Sequence, residues 1–590
     1  MTLKHDPVKA NLSELIVQAV TDLYGEQDTA QFYSLIGDAP DFKMGHYAFP
    51  CFILAKKLKL PPPKLAESIA QKITEMNSSK IDKVINAGPY VNFFVKNTTY
   101  GELTLEKQLN GHYFKRQLSE NAPRTMIEYS QPNTHKEIHV GHMRNLCLGD
   151  SLIRLHRYIG YDIVASTFPG DVGTHVAKCL WYLKNVNTEK APETRKGAWL
   201  GKMYSAANNL LEDQRGTDKE ESNRKALTEI LAQLEKKSGE YYELWKVTRE
   251  WSIELMKEVY QWAQVNFDVW YWESDVDADS LKLAKQYYEK GLFVQSEGAI
   301  GIDLSDYKLG FCLFIKSDGN GLYATKDIEL ARKKFTEFKI ERSIYVVDKR
   351  QALHFQQVFK TLELMGFENA RNCFHLQYDF VELPDGAMSS RKGNIVPLQE
   401  LVDRMVSMIK TEYLAKYEND WSQEEINQTA NDVARGAIKY GMVRLDNNKK
   451  IVFDMKEWLK LDGESGPYIQ YSFARINSLC EKLGYEKIGY KEGTKSDWSV
   501  LKEPQEMALL HKLTGFNDVA IIAALQFKTG SMCSYLYDLS KLFNAFYAEC
   551  SVGNAESADL KTARLNLCKA VSVTLEKGLN VLGITAPKRM

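Results

Sequence analysis

The spacing of hydrophobic residues divides the chain into three regions. In residues 1 to about 115, apolar side chains recur every three to four positions from 11 to 24, which predicts a helix, and the run 91–95 is typical of a strand. Three prolines at 61–63 separate two further helical segments. This pattern predicts a small α/β unit at the start of the chain.

From residue 124 onward, short apolar runs alternate with amphipathic stretches. Residues 125–130 and 162–168 have the composition of strands, and residues 142–158 between them carry apolar side chains at helical spacing. This order predicts a βαβ unit with a parallel sheet and a right-handed crossover. Because ligands of such sheets bind beyond the carboxyl ends of the strands, the segments 131–142 and 169–175 should line one crevice.

The remaining patterns complete an α/β architecture. Residues 190–265 are charged and helical and have the character of an insertion, whereas 291–325 and 341–400 return to strands and turns or strands and helices. From about residue 425, strand signals vanish and helical periodicity dominates. We therefore predict a Rossmann-like parallel-sheet domain over 120–420 with an insertion around 190–300, after the small α/β unit, and an all-α domain over 425–590.

Composition limits the classes of protein that fit. The 590 residues are 44% hydrophobic and 26% charged, as in globular proteins, and the formal net charge of −1 means that any nucleic-acid-binding face must be local. The nine cysteines are too widely spaced for a zinc ribbon or a disulfide framework. The chain starts without a signal-peptide core, and its apolar runs fall far short of the ~20 residues of a membrane helix. We expect a reduced, cytoplasmic protein that does not bind membranes.

Two histidines flank a glycine where the helix of the βαβ unit is predicted to begin. A helix N-terminus offers free N–H groups and a partial positive charge, and Gly141 lets a bulky group approach the backbone. His139, Gly141 and His142 therefore suit the binding of a phosphate chain. They would equally fit two surface histidines on a loop, and together with His135 and His175 they could instead form a zinc site.

A second segment, 387–394, is small, polar and basic and follows Pro-Asp-Gly. It contains Met388 and Ser389 and two cations, Arg391 and Lys392. A flexible loop of this kind can close over phosphates and stabilise the charge that develops in a transition state. A solvated basic turn would have the same composition.

In this order, the two segments resemble the HIGH and KMSKS signatures of the class I aminoacyl-tRNA synthetases. Further motifs narrow the resemblance to the arginyl-tRNA synthetases, and they extend over nearly the whole chain. These motifs lie at residues 128–133, 136, 139–144, 149–150, 170–174, 323–328, 345–348, 466–471, 474–475 and 583–590.

The sequence departs from the family pattern at a few positions. Ala387 and Ser390 stand where the KMSKS loop usually carries lysines, and Val172 and His175 stand where Trp and Gln are usual. Arginyl enzymes commonly lack the second lysine of the loop and are thought to use a lysine upstream of HIGH instead. Lys136 has that position here.

The resemblance implies roles for individual residues. It implies that ATP, accompanied by Mg²⁺, is bound by His139, Gly141, His142 and Met388. The implied catalytic residues, which stabilise charge on the phosphates, are His139, His142, Lys136, Met388, Ser389, Arg391 and Lys392. The implied L-arginine-binding residues are Glu128, Asn133, Tyr323, Asp327 and Gln351. The implied tRNA-binding residues are Tyr471, Arg475, Tyr547 and Met590. No metal ion held by the protein itself is expected.

The activity implied is the ATP-dependent attachment of L-arginine to tRNA(Arg) through an arginyl-adenylate, by a monomer. Residues 1–115 would then be an additional tRNA-contacting domain, 120–420 the catalytic domain and 425–590 the anticodon-binding domain. Two alternatives remain open at this point. One is a tRNA-binding paralogue that has lost catalysis, which the Ala387 departure would favour, and the other is a metal hydrolase that uses the histidine cluster.

Overall fold

A helix and a four-stranded antiparallel sheet form the core of the N-terminal unit. In the computed structural model, which describes residues 5–114, 122–317, 319–383, 386–387, 396–493 and 496–590, the strand order is β1-β2-β4-β3. The strands are β1 (Gly37–Asp38), β2 (Tyr47–Pro50), β3 (Ile81–Ala87) and β4 (Tyr90–Val95). The helices are α1 (Pro7–Tyr24), α2 (Phe32–Leu35), α3 (Phe52–Leu58), α4 (Pro62–Glu75), α5 (Asn97–Tyr100) and α6 (Glu106–Leu109).

Helix α1 begins four residues earlier than its apolar pattern predicts. The carboxylate of Asp6 accepts hydrogen bonds from the backbone N–H groups of Val8 and Lys9, and Pro7 occupies the first helical position. A capping carboxylate and an N-terminal proline both favour a helix start. The polar cap, rather than the first apolar residue, therefore sets the boundary.

A five-stranded parallel sheet forms the centre of the molecule, as the βαβ pattern predicts. Its order is β12-β11-β5-β6-β7. Strands β6 and β7 are added on one side of β5, and β11 and β12 on the other side. These strands are β5 (Thr125–Glu128), β6 (Ile163–Thr167), β7 (Val269–Trp270), β11 (Arg342–Asp348) and β12 (Cys373–Tyr378). The boundary between β5 and β11 is a topological switch point, where crevices open at the carboxyl ends of the strands.

Helices and a small antiparallel sheet surround the parallel sheet. The helices are α7 (Val140–Tyr158), α8 (Thr174–Asn185), α9 (Lys196–Asp213), α10 (Lys219–Glu235), α11 (Glu240–Ala263), α12 (Glu273–Glu289), α13 (Tyr323–Phe338) and α14 (Ala352–Leu364). The small sheet consists of β8 (Val294–Ser296), β9 (Ala299–Asp303) and β10 (Phe311–Ile315). Helices α9 to α11 confirm the helical character predicted for 190–265, and α7 follows the predicted helix closely.

The C-terminal region is helical apart from one short strand. Strands β13 (Val381–Leu383) and β14 (Gly386–Ala387) are joined by β15 (Ile451–Val452), which pairs in parallel with β13. The expectation that no strand follows residue 425 is therefore wrong for Ile451 and Val452, which pair with β13. The helices are α15 (Leu398–Ile409), α16 (Gln423–Val443), α17 (Met455–Leu459), α18 (Gly466–Lys482), α19 (Tyr485–Ile488), α20 (Pro504–Thr514), α21 (Phe516–Leu525), α22 (Thr529–Glu549) and α23 (Ala558–Val581).

Helix α7 joins the central sheet to the C-terminal helices. Its buried Arg144 donates hydrogen bonds to the backbone carbonyls of Met442 and Asp446, and its buried Asp150 pairs with Lys439 of α16 at 2.9 Å. Hydrophobic residues of all three regions belong to one continuous core. The start of α7 is thus held from both sides.

Within the part of the chain that the structure describes, no single helix has the length and apolarity to cross a membrane. The pair α20 and α21 passes that test jointly, with a bend of 41° between the two helices. Core helices of globular proteins pass the same test.

Candidate active site

A cavity of about 890 Å³ opens at the switch point of the parallel sheet. The ends of β5, β11 and β12 contribute Glu128, Asp348 and Tyr378, and the segment after β6 contributes Phe168 and Gly170. The start of α7 contributes His139, Gly141 and His142, and α13, α14 and the turn before α14 contribute Tyr323, Asp327, His354, Arg350 and Gln351. The sheet topology thus brings both the predicted phosphate-binding and the predicted arginine-binding residues to one cavity.

The side chains of the two histidines at the start of α7 both accept hydrogen bonds from backbone N–H groups. His139 is the N-cap, and its Nδ1 accepts the backbone N–H of Gly141 at 3.1 Å, while its own backbone N–H donates to Nδ1 of His142 at 3.2 Å. The two rings lie 4.0 Å apart between centroids. Because both Nδ1 atoms accept, each neutral ring carries its proton on Nε2, where it can donate to a ligand.

Both imidazoles are held in the neutral form. Burial, together with the positive charge of Lys136, lowers the pKa of His139 to about 4. Burial also lowers the pKa of His142 well below its usual value, with added repulsion from His139 and Lys136. These rings therefore act near neutral pH as hydrogen-bond donors rather than as cations.

Lys136 lies in the loop that leads from β5 to α7. Its ammonium is 5.1 Å from the centre of the Tyr204 ring, on helix α9 of the predicted insertion. Since Lys136 also lowers the pKa of both histidines, its positive charge acts on the start of α7. A cation here adds to the positive potential of the helix start.

Helices α13 and α14 and the turn between β11 and α14 supply a second part of the cavity lining, called here the acidic wall. The Asp327 carboxylate accepts a hydrogen bond from Nε2 of His354 at 2.5 Å. Tyr323 lies one turn earlier on α13 and is 60% exposed. Gln351 lies in the turn before α14 and also lines the cavity. Residues 323, 327 and 351 therefore share one wall, and His354 adds an imidazole that the sequence patterns did not single out.

Glu128, at the end of β5, and Asn133, in the segment that follows, also line the cavity. One Glu128 oxygen forms an ion pair with Lys334, whose side chain is completely buried, and the other accepts from the amide of Gln131 at 3.1 Å. Asn133 packs against Gly170, where a β-carbon would lie 2.4 Å from Asn133 Oδ1. The glycine of the 170–174 turn is therefore required for Asn133 to occupy its position.

Glu273 is a further cavity residue that no sequence pattern indicated. It is the first residue of α12 and is 6% exposed, and its carboxylate forms an ion pair with the ammonium of Lys326 at 3.3 Å. Burial raises the pKa of Glu273 to about 7 against the opposing effect of Lys326, with a contribution from nearby Asp171. Its position is set by the buried carboxylate of Asp171, which accepts from the backbone N–H of Ser274 at 2.9 Å and pairs with Arg249 at 2.7 Å.

The other histidines near the cavity are bound by the protein itself. His135 is completely buried, and its Nδ1 and Nε2 contact the hydroxyls of Thr134 at 2.9 Å and Thr248 at 2.8 Å. His175 contacts the backbone carbonyl of Gly170 at 3.3 Å. Within the described ranges, no group of three or more His, Cys, Asp or Glu side chains is arranged to hold a metal ion. The metal-hydrolase alternative is therefore not supported.

Comparisons with known proteins relate all three regions of the chain to one family. The model of the class I (R) tRNA synthetase catalytic domain matches residues 105–455, that of the DALR anticodon binding domain matches 469–590, and that of the arginyl tRNA synthetase N-terminal domain matches 10–95. The arginine–tRNA ligase of Bdellovibrio bacteriovorus is 55% identical over all of both chains. That of Clostridium perfringens is 32% identical over 94% of this chain and 96% of its own. The chain belongs to the arginyl-tRNA synthetase family.

Solved structures of the family share the fold. The arginyl-tRNA synthetase of Thermus thermophilus superposes with a TM-score of 0.79 at 26% identity, covering 99% of this chain and 100% of its own. The enzyme of Plasmodium falciparum gives 0.76 at 19% identity, covering both chains fully. These matches confirm the class I fold of a parallel-sheet domain between an N-terminal unit and a helical C-terminal domain.

Several of the predicted site residues lie outside the described residues. They are the loop residues Met388, Ser389, Arg391 and Lys392. Their roles stay predictions from the sequence.

The four residues predicted to bind tRNA lie in or beside the C-terminal helices. Tyr471 and Arg475 are half-buried and one turn apart on α18, and the Arg475 guanidinium lies 4.2 Å above the ring of Tyr547 on α22. Met590 is buried, and its backbone carbonyl accepts from the hydroxyl of Tyr417 at 3.2 Å. The structure brings Arg475 and Tyr547 into direct contact and gives Met590 a packed position in the core.

Proposed function

We propose that this chain attaches L-arginine to tRNA(Arg) in two ATP-dependent steps at the cavity described above. In the first step, a carboxylate oxygen of arginine attacks the α-phosphorus of ATP, and pyrophosphate leaves. In the second step, a hydroxyl of the terminal adenosine of the tRNA attacks the arginyl carbonyl, and AMP leaves. The observation that carries this proposal is the presence of a helix start and an acidic wall in one cavity.

The start of α7 supports the binding of the phosphates. The partial positive charge of the helix start favours a polyanion, and the charge of Lys136 strengthens that potential. The backbone N–H groups of Val140 and Gly141 already donate, to the carbonyl of Val396 and to Nδ1 of His139 respectively. The Nε2–H groups of His139 and His142 are positioned as neutral donors to the phosphate oxygens, because their Nδ1 atoms are already engaged. Donors that gain strength as charge grows on phosphorus lower the barrier by ~3 kcal/mol each.

The acidic wall supports the binding of the guanidinium group. Guanidinium is planar and permanently charged, and it is best matched by carboxylates and hydrogen-bond acceptors. Asp327 supplies the carboxylate, with Tyr323 and Gln351 on the same wall. Glu128 and Asn133 line the same cavity, where they suit the amino and carboxylate groups of the substrate.

The nucleotide is expected to bring its own Mg²⁺. The start of α7 offers the Nε2–H groups of two neutral imidazoles, which suit phosphate oxygens rather than a hard cation. A Mg²⁺ ion bound with the nucleotide would neutralise charge on the triphosphate. The predicted loop residues Met388, Ser389, Arg391 and Lys392 would close over the same phosphates.

The N-terminal unit and the C-terminal helices suit the recognition of tRNA. We propose in addition that the protein acts as a monomer and in the cytoplasm. Arg475 stacked on Tyr547, with Tyr471 beside them on α18, offers an aromatic and cationic surface of the kind that binds unstacked bases. Met590 would contribute through the chain end. The N-terminal unit, residues 1–115, would contact another part of the tRNA, and 425–590 would bind the anticodon.

Isotope exchange between ATP and pyrophosphate tests this function directly. Exchange should require L-arginine, Mg²⁺ and tRNA(Arg), and aminoacylation should follow with L-arginine alone among the standard amino acids. L-Citrulline is the matched control, because it has the shape of arginine but carries a neutral ureido group. Exchange with another standard amino acid, equal exchange with citrulline, or no exchange in the complete mixture would contradict the proposal. Retained tRNA binding without exchange would select the inactive paralogue.

A further inference from the structure

The Asp327 carboxylate is hydrogen-bonded to an imidazole of the neighbouring helix α14. Among the residues that the structure describes, its side-chain hydrogen-bond partner is Nε2 of His354, at 2.5 Å. The two side chains are 15% and 23% exposed, so water screens the pair only partly. A carboxylate and an imidazole at this distance form a strong, charge-assisted hydrogen bond.

The groups around His354 leave Asp327 as its main source of stabilisation in the charged form. His354 lies in the first turn of α14, where the helix dipole disfavours a cation. His375 of β12 lies nearby, and burial, with a smaller contribution from His354, lowers the pKa of His375. Arg350 in the preceding turn is itself paired with Asp348 at 2.8 Å. Asp327 contributes to the raised pKa of Glu273 on α12, whereas Glu273 is not among the groups that shift the pKa of His354. The charge of His354 therefore depends on access to the Asp327 carboxylate.

We propose that His354 positions Asp327 for the substrate guanidinium and releases a proton when L-arginine binds. Before arginine binds, the imidazolium is the counter-ion of Asp327. When the guanidinium arrives, two cations share one carboxylate, and the imidazolium loses the proton on Nδ1 to solvent. The Nε2–H bond to Asp327 is kept, so the carboxylate stays oriented while the positive charge next to it is removed. This inference rests on the proposed function, because it takes arginine as the ligand of Asp327.

The direction of the pKa shift agrees with this sequence of events. Burial opposes the charged form of His354, but the hydrogen bond and charge of Asp327 outweigh it and raise the His354 pKa above its usual 6.5. A group that loses its proton on ligand binding makes the affinity for the ligand fall as the pH falls. The KM for arginine should therefore rise in acid while kcat at saturating arginine does not change for this reason.

Calorimetric titration of the full-length protein with L-arginine, with tRNA(Arg) bound, measures the proton directly. Repeating the titration in buffers of different ionisation enthalpy should give release of about half a proton or more per arginine at pH 6.5, since the pKa of His354 lies above that value. The KM for arginine in the exchange assay should rise by at least about fourfold from pH 8 to pH 6. Absence of proton release by the unmodified protein would overturn the proposal even if no variant could be purified.

Two substitutions at His354 separate positioning from titration. In H354Q the amide Nε2 can take the place of the imidazole Nε2 as a neutral donor, so we expect a KM for arginine within a few fold of the unmodified value at pH 8, no extra rise toward pH 6, and no proton release. H354A should raise the KM for arginine about tenfold at every pH and leave the KM for ATP unchanged. H375Q is the control, because His375 bonds the carbonyl of Val347 at 2.9 Å and should keep the proton release.

The two proposals fail in distinguishable ways. If the unmodified protein does not activate arginine, the proposed function fails. If it activates arginine but H354Q keeps the same pH dependence and proton release, the function stands and the role of His354 is refuted.

Discussion

The backbone N–H of His139 donates to Nδ1 of His142 at 3.2 Å, so the second histidine completes the cap that the first begins. One pair of side chains thereby stabilises the helix start and directs two Nε2–H donors into the cavity. Substitution of His142 can separate these two functions. The side-chain oxygen of an asparagine can replace Nδ1 as the acceptor in the cap, and the side-chain amide of a glutamine can replace Nε2–H as the donor.

We expect H142N to fold like the unmodified protein and to lose most of its activity. The asparagine oxygen can accept from His139 N–H, but no donor reaches the phosphates, and the loss of a transition-state donor costs ~3 kcal/mol, or about 100-fold in kcat. Single-turnover adenylate formation measures this step. H142Q, which restores the outer donor but not the cap, should recover part of the rate at a lower melting temperature. Equal activity of H142N and the unmodified protein would exclude a catalytic role.

Asp327→Asn should raise the KM for arginine strongly and leave the KM for ATP nearly unchanged. The substitution removes the charge that matches the guanidinium and leaves the shape, which costs ~3 kcal/mol, or about 100-fold in the KM for arginine. The KM for ATP should change less than twofold. Steady-state exchange kinetics with each substrate varied in turn will distinguish the two. An equal loss for both substrates would mean that Asp327 has a structural role.

The contrast between the two walls of the cavity explains what the sequence could predict. The helix start depends on residues within one turn of each other, so His139, Gly141 and His142 could be identified from local spacing together with the family motif. His354 meets Asp327 across 27 positions, through the packing of α14 on α13, and Glu273 reaches the cavity from the end of the insertion. Neither lies in a motif with distinctive spacing. For the same reason His135 fitted a metal cluster in the sequence, whereas it is buried between two threonine hydroxyls.

Acid should destabilise the protein below pH 6.5 through its buried histidines. Burial lowers the pKa of His135 to about 3 and those of His46, His139 and His156 to about 4. Each of these groups binds more protons when unfolded than when folded between pH 6.5 and its lowered pKa, so stability is complete above 6.5 and falls as the pH drops through this window.

Melting temperatures measured from pH 7.5 to 4.5 will test this prediction. H135N, which cannot be protonated and retains hydrogen-bonding capacity toward the threonines, should flatten the decline. H112Q at an exposed position should leave the curve unchanged. A melting temperature that is constant down to pH 5 would contradict the neutral, buried state of these histidines.

Arg475→Ala should impair tRNA use without affecting amino-acid chemistry. The guanidinium above the Tyr547 ring offers a stacking surface, and contacts of this kind are worth ~1–3 kcal/mol per base, so we expect the KM for tRNA to rise by about tenfold. The KM values for arginine and ATP should not change when tRNA is saturating. The matched control is Lys541→Ala. It removes a cation that lies 5.1 Å from the ring centre of Tyr537, on α22, which also carries Tyr547. If both variants behave alike, the surface around Arg475 is not the one that binds tRNA.

The buried ion pair between Lys439 and Asp150 predicts that the C-terminal helices stabilise the catalytic centre. Lys439 donates to Asp150 at 2.9 Å and to the carbonyl of Gly583 at 2.8 Å, and both side chains of the pair are buried. Lys439→Met leaves the Asp150 charge in the interior with Arg154 as its remaining ionic partner among the described residues, which should cost ~3 kcal/mol in the free energy of unfolding.

Because Asp150 and the two HIGH histidines lie on one helix, the loss should also lower kcat for adenylate formation more than it raises the KM for arginine. Urea unfolding gives the stability, and exchange kinetics give the activity. The double variant K439M/D150N removes the uncompensated charge and should recover a large part of both. Lys450→Met, which removes an exposed partner of Glu382, is the control and should change neither. A stable and fully active K439M would mean that α7 is positioned by the sheet alone.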